Sequence, residues 1–223
     1  MTRVELLEEL RYVLDDTAGP PFAWSDQRLL RMMADGEDRF CEETGYFTDN
    51  TTYTITTTGG DAHYLLPSDR IIEVLEIWDG AHKLRNFTEL DRSQYYNLPA
   101  MPWKRPIAWQ VDQQTGMISL LELPLDGLVL TLRVHRRAAK RLNSKTGPNY
   151  DVVTPSIPQQ CHRALVEYAA AEALVDHDRE RQDPVKAAIH AERFKDYVRQ
   201  GRKLFTRING ASMQITPAQQ YVV

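Results

Sequence analysis

The sequence predicts an α+β protein: a helical unit built from the two ends of the chain, an inserted antiparallel β-sandwich or barrel, and an extended C-terminal tail. Three observations predict it. Apolar residues recur at steps of three and four through the first fifty residues; from Thr51 the pattern changes to alternation among β-branched residues; beyond Ser156 the helical spacing returns over two long stretches. The resulting boundaries are 1–50 for the first part of the helical unit, 51–142 for the inserted β domain, 143–209 for a linker and the long C-terminal helices, and 210–223 for the tail.

Val4, Leu7, Leu10, Arg11 and Leu14 outline a first short helix, ended by Ala18-Gly19-Pro20-Pro21. Ser25 is a good N-cap for a second, in which Leu29, Leu30, Met33, Phe40 and Cys41 form one apolar face until Gly45 closes it. Thr51 to Thr58 alternates as a strand and ends at Gly59-Gly60-Asp61. Ile71 to Trp78 fits either period, and its shortness, its β-branching and the Asp79-Gly80 turn favour a strand, with Lys83 to Phe87 returning as its hairpin partner. Ile107 to Val111 and Met117 to Leu123 flank a five-residue hairpin loop, and after the turn at Pro124 to Gly127 the residues Leu128, Leu130, Leu132 and Val134 alternate along a last strand. The Pro- and aromatic-rich loop from Tyr95 to Pro106 is too long for a simple connection and reads either as a lid over one end of the sandwich or as a partner-contact loop.

Leu142 to Pro155 reads as an extended linker. Ser156 and Gln159 have the spacing of a capping box, with Pro158 in the first turn, and Cys161, Ala164, Leu165, Tyr168, Ala171 and Val175 then share one side of a helix. Asp183-Pro184 ends it and opens another, in which Ala187, Ala191, Phe194, Val198, Gly201, Phe205 and Ile208 form a seam that stops at Asn209-Gly210. Each helix would be about 30 to 40 Å long, too long and one-sided to stand without a partner surface. Tyr197 and Leu204 carry the apolar surface beyond the seam, which predicts contacts between subunits of a closing head-to-tail ring at Phe194, Tyr197, Val198, Leu204 and Phe205. The tail after Gly210 has no charged side chain, and its apolar residues Met213, Ile215, Pro217, Tyr221, Val222 and Val223 are too few for a core of their own. They are candidate anchors for a partner, by strand addition or by filling pockets.

The chemistry of turnover is missing from this pattern. No GxSxG, GxGxxG, GxxxxGK[ST] or HExxH occurs, so the reading is a protein without enzymatic activity, cofactor or metal. The nearest metal candidate is Glu172, Asp176 and His177 with His190, but neither Glu167 nor Glu172 has the histidine three residues on that a di-metal helical site uses, and a solvated helix end explains the cluster better. Cys41 and Cys161 sit on apolar helical faces and read as buried free thiols. A composition of 42% hydrophobic and 26% charged residues is that of a protein with a buried core, and nothing in it is long and apolar enough to span a bilayer, so the expectation is cytosolic synthesis and no membrane partner.

The formal net charge of −4 is unevenly spread: the first fifty residues are acidic, whereas Arg133, Arg136, Arg137, Lys140, Arg141 and Lys145 form a run without an acid. That run is either a solvated loop after a strand or a contact for nucleic acid or an acidic protein. The alternative function is therefore a nucleic-acid-binding protein using the run 133–145 and the face Lys195, Arg199, Arg202, Lys203 and Arg207 of the last helix.

One ordered set of loose patterns runs through most of the chain. It comprises the opening helix; Trp24-Ser25-Asp26 leading into Leu29-Leu30; Ile71-Ile72-Glu73-Val74; Arg105-Pro106 ahead of Trp109; Ile118-Ser119-Leu120 running to Leu123-Pro124 before an Asp-Gly turn; and Ile157-Pro158-Gln159 opening a helix with Tyr168, Ala169 and Ala173. In order and spacing this resembles the head-to-tail connector, or adaptor, proteins of tailed bacteriophages. The resemblance implies a helical bundle with an inserted β domain, made in the host cytoplasm and assembled as a homo-oligomeric ring, usually a dodecamer, in the neck of the virion. It implies a portal protein as partner of the tail residues Met213, Ile215, Pro217, Tyr221, Val222 and Val223, and a downstream tail or nozzle protein, with Pro99, Met101 and Trp103 as the tail-side contact. Genomic DNA would pass through the channel without specific binding, so acidic residues should offset basic ones along its wall.

Overall fold

Thr2 starts the first helix. Its hydroxyl accepts the Glu5 N–H while the Glu5 carboxylate takes the Thr2 N–H at 2.8 Å, a reciprocal capping box, and α1 runs Arg3–Val13. Ser25 caps α2 (Asp26–Thr44) through the Arg28 N–H, and Gly45, at φ 61°, closes it by donating to the Cys41 carbonyl. The computed structural model describes residues 1–19, 22–87, 106, 108–112, 115–121, 124–139, 141–143, 153–175 and 182–212, with backbone alone for 207–212. The chain divides into two units, one made of Met1–Tyr46 with the chain from Arg137 onward, the other of Phe47–Arg136.

In the first unit the expected capping box at Ser156 does not form. The Ser156 N–H instead donates to the buried Glu37 carboxylate at 2.6 Å, and a 3-10 turn at Gln159–Cys161 leads into α3 (His162–Val175). A carboxylate from another helix has taken the amide that the local motif would have used. Asp183 caps α4 (Pro184–Ser212) through the Lys186 N–H, with Pro184 at the first helical position. This helix has 29 residues, about 43 Å, and continues through Asn209-Gly210 rather than stopping there.

Helix α3 packs on α1, α2 and α4. Its buried Ala164, Ala169, Ala170 and Ala173 lie on several sides, and small side chains let three neighbours approach one axis closely. Glycines do the same elsewhere: a Cβ on Gly201 would lie 2.5 Å from the Phe40 ring and 3.1 Å from Thr44, and one on Gly36 would lie 2.9 Å from the Tyr168 ring. Tyr168 meets Phe194 edge to face at 5.1 Å. Cys41 and Cys161 are buried and free.

Among its described residues the second unit contains two four-stranded sheets. One has the order β1 (Phe47–Thr56), β8 (Val129–Arg136), β3 (Ile71–Asp79), β4 (His82–Lys83); the other has β2 (His63–Leu65), β7 (Met117–Leu121), β6 (Ala108–Asp112), β5 (Arg85–Asn86). All pairs are antiparallel except β5 with β6. Ile77, Leu130, Leu132 and Val134 from the first sheet and Trp109, Ile118 and Leu120 from the second share one core. The fold class is thus α+β, as the periodicities predict.

Two strands differ from expectation. β1 begins at Phe47 rather than Thr51 and shifts register between Asp49 and Tyr53, where the Asp49 carboxylate accepts the N–H groups of Thr51 and Thr52. The return after Gly80 pairs with β3 only at His82 and Lys83; Leu84 then turns into the core, and Arg85 and Asn86 join the other sheet. Burial of Leu84 and Phe87 moves the chain across the sandwich instead of prolonging the hairpin.

Gly201→Ala is expected to destabilise the protein by about 1–3 kcal/mol, because Phe40 is fully buried and cannot yield. Gly36→Ala should also destabilise it, because the contacts include Tyr168 Cβ and Cγ at 3.1 and 3.0 Å, next to the backbone of α3, which side-chain rotation cannot move away; the roughly 1 kcal/mol of helix propensity that alanine gains offsets part of the loss. Urea midpoints of the two variants check both; an unchanged midpoint for either would refute the close packing at that glycine.

Candidate functional site

The basic run meets its acids in space. Arg137 donates to Glu42 at 3.0 and 2.5 Å, and Arg141 donates to Asp38 at 3.2 and 2.9 Å and lies 3.7 Å from Asp35. Asp35, Asp38 and Glu42 fall at three- and four-residue steps along α2, which puts them on one side of that helix. The neighbouring Glu43 receives Arg202 of α4, whose Nε donates to its carbonyl at 2.7 Å. Within the β unit Arg136 pairs with Asp49 at 3.1 Å, and Arg133 lies 3.5 Å from Glu76. Lys140 and Lys145 lie outside the described residues. The spacing on α2 was the available signal that the run would be neutralised at home.

These contacts tune the acids. Burial pushes the Asp49 carboxyl up, but the N–H groups of Thr52 and Thr51 and the charge of Arg136 outweigh it and hold the group below the ordinary carboxylate range. The hydrogen bond from Lys83 holds Glu76 down. On α4 Lys195 and Arg199 are also accompanied: Lys195 reaches Glu192 at 3.1 Å, and Arg199 bonds Asp196 and Glu192, while the side chain of Arg207 lies outside the described residues. These pairs interrupt the continuous basic face that a duplex binder needs.

The seam of α4 is spent on its own unit. Phe194 and Val198 are 6% and 2% exposed, whereas Tyr197, Leu204 and Phe205 are only partly covered. Tyr197 borders a groove of about 440 Å³ with Arg163, Glu167, Arg193, Asp196 and Gln200. Glu167, which lines it, is paired with the buried His190 at 2.6 Å, with Arg193 at 3.9 Å and Arg163 drawn to Glu9 at 3.0 Å. His190 is thereby committed to Glu167 and not to the Glu172 cluster, and among the described residues no group of three His, Cys, Asp or Glu is placed to hold a metal. Pro99, Met101 and Trp103, the tail anchors Met213 to Val223, and Asp176 and His177 lie outside the described residues.

A model of the SU10 adaptor protein family matches residues 1–217. The chain belongs to the SU10 adaptor protein family. As an SU10 adaptor protein it is a structural component of a bacteriophage virion, working by association with other virion proteins. No curated protein matches it. No helix among the described residues of this adaptor is long and apolar enough to cross a membrane.

Burial sets the pH response of the adaptor. Desolvation holds His162 and His135 below the ordinary imidazole value, aided by the terminal amine at His162 and by Arg133 at His135. Folding therefore favours the neutral rings: stability is full above the unfolded value of about 6.5 and is lost as pH falls below it, until the folded rings titrate. The carboxylates Asp49 and Glu76 add a second loss only below about pH 4. Urea midpoints between pH 7.5 and 5 should fall for the native chain and fall less for His162→Gln; an unchanged slope would remove His162 from the account. Binding to a 20-base-pair duplex is expected to be no tighter than about 10⁻⁴ M near physiological salt. A micromolar Kd with a log–log salt slope near −5 would assign about five phosphate contacts to the basic run and overturn the neutralisation argument.

Proposed function

We propose that this SU10 adaptor protein joins the portal to the tail as a ring, the form that heterologous contacts take when their rotation closes, and continues the DNA exit channel at the neck. The observation that carries the reading is α4: 29 residues with one side buried, Tyr197 and Leu204 left partly exposed on another, and an uncharged apolar segment following its end. A neighbouring subunit covers Tyr197, Leu204 and Phe205, while Phe194 and Val198 support that surface from within. The dodecameric count comes from the resemblance alone. Internal pairing of the arginines suits a channel wall, because each unpaired phosphate contact would hold the genome back.

The portal contact is assigned to Met213, Ile215, Pro217, Tyr221, Val222 and Val223, and the contact with a downstream tail or nozzle protein to Pro99, Met101 and Trp103. Ordering the tail costs roughly 1–2 kcal/mol per residue, so docking must bury several of these side chains at about 1.5–3 kcal/mol each. Deleting 213–223 is expected to leave the melting temperature nearly unchanged and to abolish co-sedimentation with portal rings. Attachment at full strength would move the portal contact to the helical unit. Tyr197→Asp should leave the monomer folded yet prevent rings on the portal in negative-stain images; intact rings would exclude the α4 surface.

A further inference from the structure

The β unit has an open flank. Among the described residues β5 pairs with β6 only at Ala108 and Trp109, so the outer edge of β6 at Gln110 and Val111 has no described strand beside it. On the other sheet β4 pairs with β3 at Trp78 and Asp79, and 71–76 have no strand on that side among the described residues. Both edges border one cleft of about 380 Å³, lined by Leu66, Ile71, Val74, Trp109 and Val111, with Glu73 its one charged residue. Trp109 is 2% exposed and its indole N–H has no acceptor among the described residues. A buried donor without an acceptor is costly, and a bare strand edge beside an apolar cleft is the receiving half of strand addition.

We propose that this cleft receives an extended segment of another virion protein, apolar at alternate positions and carrying one basic residue opposite Glu73. The added strand pairs with the β3 or β6 edge, fills the cleft with its inward side chains, and offers a carbonyl to the Trp109 N–H. Charge decides between occupants. Glu73 makes no ion pair among the described residues, its facing neighbour on β8 being His135, so a strand with a single Lys or Arg gains a partner there. The adaptor's own segment 213–223 has no charged side chain and leaves Glu73 unanswered, which argues against a second copy.

The probes are three synthetic peptides: a blocked eight-residue peptide of alternating Val and Thr with one central Lys, the same peptide with Glu for Lys, and residues 213–223. The readout is the Trp109 indole N–H resonance in the full-length ¹⁵N-labelled protein, assigned with Trp109→Phe. The Lys peptide is expected to shift it saturably and to bind at least tenfold more tightly than the Glu peptide. Glu73→Lys should reverse that preference, and Val111→Lys should abolish binding; should Val111→Lys fail to fold, the reversal by Glu73→Lys decides. Equal binding of the two peptides, or an indole signal that no peptide moves, overturns the proposal, as it would if the chain's own residues fill the cleft. Tighter binding of 213–223 than of the Lys peptide also overturns it and makes a second copy the occupant.

Discussion

The helical unit depends on the acids of α2. The chain leaves this unit at Tyr46 and returns at Arg137, and α2 is what the returning chain meets: Glu42 takes Arg137, Asp38 takes Arg141, and buried Glu37 takes the Ser156 amide just before α3. Glu37 is 1% exposed, so leaving its carboxylate without the Ser156 N–H would be far more costly than losing a surface ion pair. Arg137 and Arg141 are partly exposed and contribute less each. Together they fix where α3 begins, and α3 is the helix on which α1, α2 and α4 all pack.

A second polar arrangement stiffens the other end of α2. Arg11 donates to Asp16 at 2.6 Å, to the Trp24 carbonyl at 3.0 Å and to Asp26, and its guanidinium lies 3.8 Å over the Phe22 ring. Asp16 also accepts the Ala23 N–H at 2.9 Å, while Asp15 holds a left-handed backbone at φ 56°. One buried arginine thus organises the connection between α1 and α2. The spacing along α1 puts Arg11 on the helix face with Leu10 and Leu14, but its partners come from positions without periodic spacing and leave no linear trace.

Legibility followed the range of the forces. Ser25, Gly45 and the alternation along β8 act within a few residues, and the structure has the cap, the stop and the strand where those residues stand. Ser156 misled because a carboxylate 119 residues away outcompeted a local motif. Lys83 to Phe87 misled because strand propensity says nothing about which sheet will accept a strand, and burial of Leu84 made that choice. The basic run looked unpaired in one dimension for the same reason. At the candidate site, the spacing of Tyr197 and Leu204 marked a second apolar side of α4, but the groove beside Tyr197 joins residues from α3 and α4 and leaves no linear trace.

The pairing of Phe47 with Arg136 on adjacent strands brings the two ends of the β unit side by side. Closing a long insertion ordinarily carries an entropy cost that grows with its length, and here the insertion's own β1–β8 pairing meets that cost. A segment whose two ends emerge together behaves as a cassette. Recombination between phages can lengthen, trade or delete such a cassette while the junctions, and the helices they join, keep their positions in sequence. Change within the β unit would then leave the packing of α1 to α4 in place.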